Sequence, residues 1–222
     1  MRPYIAALLA MPVLTFAAPA QTQQREWARA AVPTPQGGML IGDPAARTKL
    51  VEYGSYTCSH CAEFAEASKS GLGAMLREGR ANLEYRHLIR DPLDLAAVMV
   101  ARCGGPSRFA RIHEAIFAGQ ATWLQRGASF ARTNGATLAK AQPLVQLRAL
   151  ADGAGLSAIG RAQGLTDPQL ARCFSDRAGL DRLIAASQQV PAEVKGTPAF
   201  FLNGRFAEAA DWARLQPLLA AK

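Results

Sequence analysis

Leu50-Val51-Glu52-Tyr53, followed after four residues by Cys58-Ser59-His60-Cys61, is the stretch on which the fold turns. Lys49 to Tyr53 is a short run rich in strand-forming residues, preceded by the turn residues Gly42-Asp43-Pro44. From Ser59 the period changes. Cys61, Phe64, Ser68, Leu72 and then Met75 or Leu76 recur every three or four positions, as on a helix packed against a sheet, and Gly79 ends the pattern. Asn82 to Ile89 then alternates, with Leu83, Tyr85 and His87 on one face and Glu84, Arg86 and Leu88 on the other. Strand, helix and strand in this order predict a right-handed βαβ unit.

Outward from this unit, Met39-Leu40-Ile41 reads as a strand on the upstream side. Downstream, residues 93–190 contain almost no strand-like run. Helices are expected at Leu93–Arg102, Ser107–Phe117, Ala136–Ala151, Ser157–Gly164, Asp167–Phe174 and Gly179–Gln189. Strand character returns at Ala199-Phe200-Phe201-Leu202, with a hairpin turn at Asn203-Gly204 and a return strand from Arg205-Phe206. A last helix carries Trp212, Leu215 and Leu219 on one face, expected to cover the other side of the sheet, with a kink or early end at Pro217. The fold class is therefore α/β, with a large all-helical insertion between the two parts of one sheet. The insertion spans 93–190, and the sheet-bearing parts span 37–92 and 191–222.

The first residues read as an export signal. After Arg2 no charge occurs before Arg25, the apolar centre runs from Ile5 to Leu14, and Ala18-Pro19-Ala20 has the small-residue pattern of a cleavage site. A permanent membrane helix is the alternative, weakened by Pro12 and by Gln21-Thr22-Gln23-Gln24. Residues 1–20 are thus expected to be a signal peptide, and 21–36 a flexible leader anchored only by Trp27. Such a chain reaches a compartment in which disulfides persist.

Composition narrows the function. Half of the 222 residues are apolar, which excludes a disordered chain, and four cysteines are too few for a disulfide-stapled module of this length. The 25 Lys and Arg against 17 Asp and Glu give a formal charge of +8. The basic residues are dispersed, without recognition-helix or zinc-finger spacing, so a nucleic-acid partner is not expected.

Chemistry concentrates in the dithiol. Two thiols three positions apart on a first helical turn can close a disulfide, and the helix start stabilises a thiolate on the first. Cys58 is read as the exposed, attacking cysteine and Cys61 as the covered, resolving one. A static disulfide, half of a zinc site, or a metal-delivery site with one of the three histidines are the alternatives. His60 lies inside the motif, where its ring can lower the thiol pKa of Cys58, or it is simply an exposed polar residue. His87 and His113 are assigned structural or surface roles. Glu52 stands on a strand that otherwise reads as buried. Beneath the dithiol it would have a raised pKa and could relay the proton of Cys61; facing outward or into a loop it would do neither. Cys103 and Cys173 are either one structural bridge or two buried free thiols.

Ile41-Gly42-Asp43-Pro44-Ala45-Ala46, Leu50-Val51-Glu52-Tyr53, Cys58-Ser59-His60-Cys61 and Gly196-Thr197-Pro198-Ala199-Phe200-Phe201-Leu202-Asn203-Gly204 together resemble the DsbA-like thiol oxidoreductases of bacterial envelopes. That resemblance implies a thioredoxin fold interrupted by a helical domain. It implies that Cys58 attacks, Cys61 resolves, His60 stabilises the reduced form, Glu52 is the buried acid, and Thr197-Pro198 is a cis-proline loop facing the dithiol. Ser59 stands where a proline is common, so a strongly oxidising potential is not carried over. The implied activity is introduction of disulfides into exported proteins in the periplasm, with a reductase or isomerase, or a non-catalytic binding protein, as alternatives. The implied partners are unfolded or partly folded proteins with free cysteines and a quinone-linked membrane protein that reoxidises the dithiol. No cofactor is implied, and a monomer is expected.

Overall fold

The computed structural model describes residues 26–29 and 31–220; the signal peptide expected at 1–20 lies outside them. A 3-10 turn at Trp27–Arg29 leads into strands β1 (Ala31–Pro33), β2 (Met39–Gly42) and β3 (Thr48–Gly54). Helices α1 (Ser59–Ser68) and α2 (Gly71–Arg77) follow, and then β4 (Ala81–His87). The helical block comprises α3 (Pro92–Cys103), α4 (Pro106–Ala118), α5 (Gln120–Leu138), α6 (Pro143–Ala154), α7 (Leu156–Ala162), α8 (Asp167–Cys173) and α9 (Arg177–Ser187). Strands β5 (Ala199–Leu202) and β6 (Arg205–Ala207) and helix α10 (Trp212–Ala220) complete the described residues. This is the expected thioredoxin-type sheet with a large helical insertion.

The sheet runs in the order β1-β2-β4-β3-β5-β6. Among the described strands only β3 and β4 pair in parallel, and they place Leu50 beside Leu83, Glu52 beside Tyr85 and Gly54 beside His87. Because side chains alternate along a strand, these six residues share one face with Phe200 and Leu202 of the antiparallel β5. Helices α1 and α4 cover that face: Phe64 meets Phe200 at 4.4 Å between ring centroids, and His113 meets Tyr85 at 4.6 Å. On the opposite face Arg86 pairs with Glu84 at 2.8 Å, and Tyr53 and Ala199 pack with Val194. The β5–β6 turn has both Asn203 and Gly204 at positive φ, 51° and 80°, the backbone that a tight two-residue hairpin demands.

Four sequence expectations are corrected. The leader at 21–36 is not free along its length: Ala31, Val32 and Pro33 pair with Ile41, Leu40 and Met39, making β1 an edge strand. Its brevity and its proline, tolerated only at an edge, hid it. The helix expected from Ser59 to Gly79 is two helices, α1 and α2, separated at Lys69 and Ser70. Residues 120–135, outside every helix that the sequence predicts, belong to the 19-residue α5, whose sparse buried positions (Gln120, Trp123, Gly127 and Leu138) give no clear apolar stripe. The helix expected across Ala136–Ala151 is instead broken before Pro143, which opens α6, the position at which proline's missing N–H costs nothing.

The last helix also departs from expectation. Trp212 lies against Phe64, with ring centroids 6.2 Å apart, so α10 shares the α1 side of the sheet rather than covering the other face. It continues through Pro217 to Ala220 without the expected early end.

Cys103 and Cys173 form a disulfide that ties the end of α3 to the end of α8 across 70 residues of sequence. Removing loop-closure entropy over that separation contributes on the order of 4 kcal/mol in the chain-entropy model. Replacing both cysteines by serine is therefore expected to lower the denaturant midpoint by a loss of that order, while Cys58 and Cys61 keep their thiol reactivity. An unchanged midpoint would deny the bridge a stabilising role.

Candidate active site

Cys58 occupies the N-cap of α1, with extended backbone (φ −91°, ψ 120°), where a capping oxygen would usually stand. Its sulfur therefore faces the unpaired N–H groups of the first turn. The protonated thiol donates to the Thr197 carbonyl at 3.2 Å. The thiolate has better partners. A hydrogen bond from the Cys61 thiol, one from the Thr197 side chain, and the backbone N–H groups of Cys61 and His60 outweigh the burial that opposes ionisation. Together they bring the Cys58 pKa from 9.0 down to about 4.

Cys61, one turn into the helix, is fully buried. Its proton is held by the Cys58 sulfur, by burial and by the nearby Glu52 carboxyl, so its pKa lies far above that of a free thiol. One proton is thus shared unequally: the thiol that is hard to ionise stabilises the one that is easy. Cys58 and Cys61 are not joined to any other cysteine in this structure.

The cover over Cys58 differs from expectation. The residue is only 5% exposed, because the Thr197-Pro198 loop closes over the start of α1. The peptide bond preceding Pro198 is cis, as the resemblance implied. His60 is exposed, and the group it presents to Cys58 is its backbone N–H. His87 and His113 are buried between β4 and α4. Burial lowers both their pKa values, that of His113 to about 3.

Glu52 is 2% exposed, beneath the dithiol rather than facing outward. Burial, helped by the charge of Cys58, raises its carboxyl from 4.5 to about 8.

The loop from Ser55 to Cys58 is held from the insertion by residues that the sequence did not single out. The Asp94 carboxylate on α3 accepts from the Ser55 hydroxyl at 2.6 Å, the Tyr56 N–H at 2.9 Å and the Arg90 N–H at 3.0 Å. Asp91, the cap of α3, accepts from the Thr57 hydroxyl at 3.0 Å. Gln120, the first residue of α5, donates from its amide nitrogen to the carbonyls of Tyr56 and Cys58, both at 2.8 Å. The available signal was an acid inside the apolar run Leu93 to Ala101, which must be paired if that face is buried. Gln120 carried no comparable signal. Among the described residues no group of three or more His, Cys, Asp or Glu is placed to hold a metal ion.

A family model described as thioredoxin matches residues 34–221, and the chain belongs to that family. The DsbA-like resemblance is borne out at this level. A candidate protein-disulfide oxidoreductase of Rickettsia bellii is 27% identical over 173 residues, 76% of this chain and 58% of that protein. The chain thus spans little more than half the length of this curated relative. The structure of a protein-disulfide isomerase from Novosphingobium aromaticivorans is similar with a TM-score of 0.74 and 33% identity, over 82% of this chain and 95% of that one. Wolbachia pipientis alpha-DsbA1 shares the fold, with a TM-score of 0.64 and 20% identity over 86% and 92% of the two chains.

The Glu52 environment makes stability pH-dependent with a definite sign. Between pH 4.5 and about 8 the folded, reduced protein holds a proton on Glu52 that the unfolded chain has released, so stability falls as pH rises through that window. Glu52→Gln removes this loss. The reduced variant is expected to be more stable than the parent, with a gap that opens above pH 4.5, grows by at most ~1.4 kcal/mol per pH unit, and levels off above pH 8. Denaturant unfolding at pH 4.5, 6 and 8 measures it; a gap that does not change with pH would remove Glu52 from this role.

Proposed function

We propose that this chain is an exported thiol-disulfide oxidoreductase that introduces disulfides into other proteins through Cys58 and Cys61. The observation that carries the reading is the division of the dithiol into a thiol with a pKa of about 4 and a neighbour whose ionisation is strongly opposed. A disulfide that breaks to release a stabilised thiolate is an oxidant, because its reduced form is the favoured one.

In the oxidised protein a substrate thiolate attacks the Cys58 sulfur, and Cys61 leaves with the electron pair of the disulfide. Glu52 supplies the proton that Cys61 then holds. The substrate's second thiolate attacks its own sulfur in the mixed disulfide and expels Cys58, which leaves as the stabilised thiolate. The substrate has lost two electrons and gained a disulfide; this chain has gained the two electrons as a dithiol. Within this reading the catalytic residues are Cys58, Cys61 and Glu52. His60 favours the reduced form, and Thr197 with Pro198 forms the edge on which an extended substrate lies. The Thr197 carbonyl, 3.2 Å from the Cys58 sulfur, is an acceptor for a substrate backbone N–H at the point of attack. Backbone pairing places few demands on side chains, which suits unfolded proteins of many sequences.

The compartment is outside the cytoplasm, in the periplasm, with residues 1–20 as a signal peptide cleaved near Ala20. The protein acts as a monomer, and a quinone-linked membrane partner restores the disulfide. Isomerase activity is the second reading, favoured by the name of the 33% identical Novosphingobium structure.

Two measurements test the proposal. Ultraviolet thiolate absorbance of the reduced protein should titrate with a midpoint near 4, and alkylation of the native protein at neutral pH should modify Cys58 and spare Cys61. Equilibration with glutathione should leave the pair mostly reduced under conditions that keep ordinary structural disulfides closed. A Cys58 midpoint at 8 or above would end the oxidase reading. Faster turnover of a protein with mispaired disulfides than of a fully reduced one would transfer the assignment to isomerase.

A further inference from the structure

Two buried polar atoms beside the dithiol have no hydrogen-bond partner among the described residues: Oε1 of Glu52 and the hydroxyl of Tyr85. They belong to one neighbourhood. Glu52 on β3 lies beside Tyr85 on β4 in the parallel register, and both project to the face under α1. The Tyr85 hydroxyl leans over the next residue of β3 on that face, Gly54, where an added Cβ would lie only 2.4 Å from it. A side chain at position 54 would displace the hydroxyl, so the glycine makes room for it. Tyr85 is fully buried and is close enough to interact electrostatically with both Glu52 and Cys61.

Packing alone does not account for a tyrosine here. The ring is already surrounded by Tyr56, His87, His113 and Phe117, with centroids 4.6 to 6.0 Å away. A phenylalanine would offer those neighbours much the same surface without burying an unpaired hydroxyl, whose desolvation is unfavourable. The proposed reaction creates a need that the hydroxyl meets. When Glu52 passes its proton to Cys61, a negative charge appears on a carboxylate shielded from solvent, and it requires a donor.

We propose that Tyr85 is a positioning residue for proton transfer: its hydroxyl donates a hydrogen bond to the Glu52 carboxylate, directly or through one internal water, once Glu52 has given its proton to Cys61. This rests on the oxidoreductase reading above. The balance is simple. One proton moves from a Glu52 oxygen to the Cys61 sulfur, and Tyr85 keeps its own. Polarity and placement fit, since a phenol deep in the protein stays protonated: burial and the surrounding Cys61, Glu52, Tyr56 and Asp94 all raise the Tyr85 pKa.

The groups around Glu52 define what else moves its titration. Cys58 and Cys61 face it from α1, and Tyr56 interacts with it from the loop before α1. From β5 its neighbour is the apolar Phe200. Arg102 and Asp94 on α3 act on Tyr56, and His113 on α4 accepts from or donates to the Tyr56 hydroxyl at 3.0 Å. None of these supplies Oε1 with a hydrogen bond.

The test uses the full mature protein and Tyr85→Phe. Glu52 is followed by carboxyl infrared or carbon NMR in the reduced state, without turnover, and substrate-thiol attack on the oxidised protein is followed by stopped flow across pH. Loss of the donor is expected to raise the Glu52 midpoint by about half a pH unit or more. It should also slow release of Cys61 several-fold. In a Glu52→Gln background the Tyr85→Phe change should have no further effect on the rate. Replacement of Tyr85 by 3-fluorotyrosine, a stronger donor of nearly the same shape, should move the Glu52 midpoint downward, and this second variant serves if the first folds poorly. An unmoved Glu52 midpoint in both variants, or equal slowing by Tyr85→Phe with and without Glu52, overturns the proposal. A parent protein unable to oxidise thiols would instead refute the oxidoreductase reading, while the Glu52 titration would still decide the Tyr85 hydrogen bond.

Discussion

The hydrogen bond between Cys61 and Cys58 is the interaction on which the rest of the site depends. It assigns the dithiol's low-energy proton to one sulfur and its charge to the other. The start of α1 could not do this alone, since a helix end offers N–H groups to any side chain at its N-cap. The asymmetry arises because Cys61 is buried, one turn inside, above a carboxyl that also disfavours its ionisation. The more firmly Cys61 keeps its proton, the better it serves as donor to the Cys58 thiolate.

That arrangement needs the loop before α1 to stay in place, and the helical insertion holds it. Asp94 and Gln120 together take up two backbone carbonyls, one backbone N–H and one hydroxyl between Ser55 and Cys58. Asp94 is fully buried, and its carboxyl is raised from 3.8 to about 6 by burial despite the hydrogen bonds that favour its charge. A buried carboxylate is costly unless its acceptors are filled; here they are filled by Ser55 and Tyr56 of the loop before α1 and by the Arg90 N–H. The insertion is therefore part of the site's geometry, joined to the sheet-bearing core by these hydrogen bonds and by the Tyr85, His87, Phe109, His113 and Phe117 cluster.

Not every buried polar group is satisfied. Glu52, Tyr85 and His87 bury atoms that have no partner among the described residues, and all three project from the sheet toward the same helices. A core selected for stability alone would place apolar side chains there. Glu52 and Tyr85 are close enough to Cys61 to interact with it electrostatically, so a carboxyl with a raised pKa and a hydroxyl that keeps its proton stand together beside the dithiol, shielded from bulk water.

Much of this was legible along the chain, and the reason is locality. The switch from strand run to helical period around Cys58-Ser59-His60-Cys61, the Asn203-Gly204 turn and the return of strand character at Ala199 are properties of neighbouring residues, so the sequence by itself determined the interrupted sheet and the dithiol at a helix start. Where the local signal was weak the reading missed: β1 has three residues and a proline, and α5 presents mostly polar surface. The sequence could place Glu52 on a strand but not choose its side, because a strand's two faces differ only in what packs on them. Tertiary structure decided that α1 and α4 cover the Glu52 face, that α10 joins them, that Cys103 meets Cys173, and that Asp94, Gln120 and Tyr85 reach the dithiol or the loop before it from three different elements. Each of these contacts spans dozens of residues along the chain, and no local periodicity records which distant side chain will fill a buried donor or acceptor.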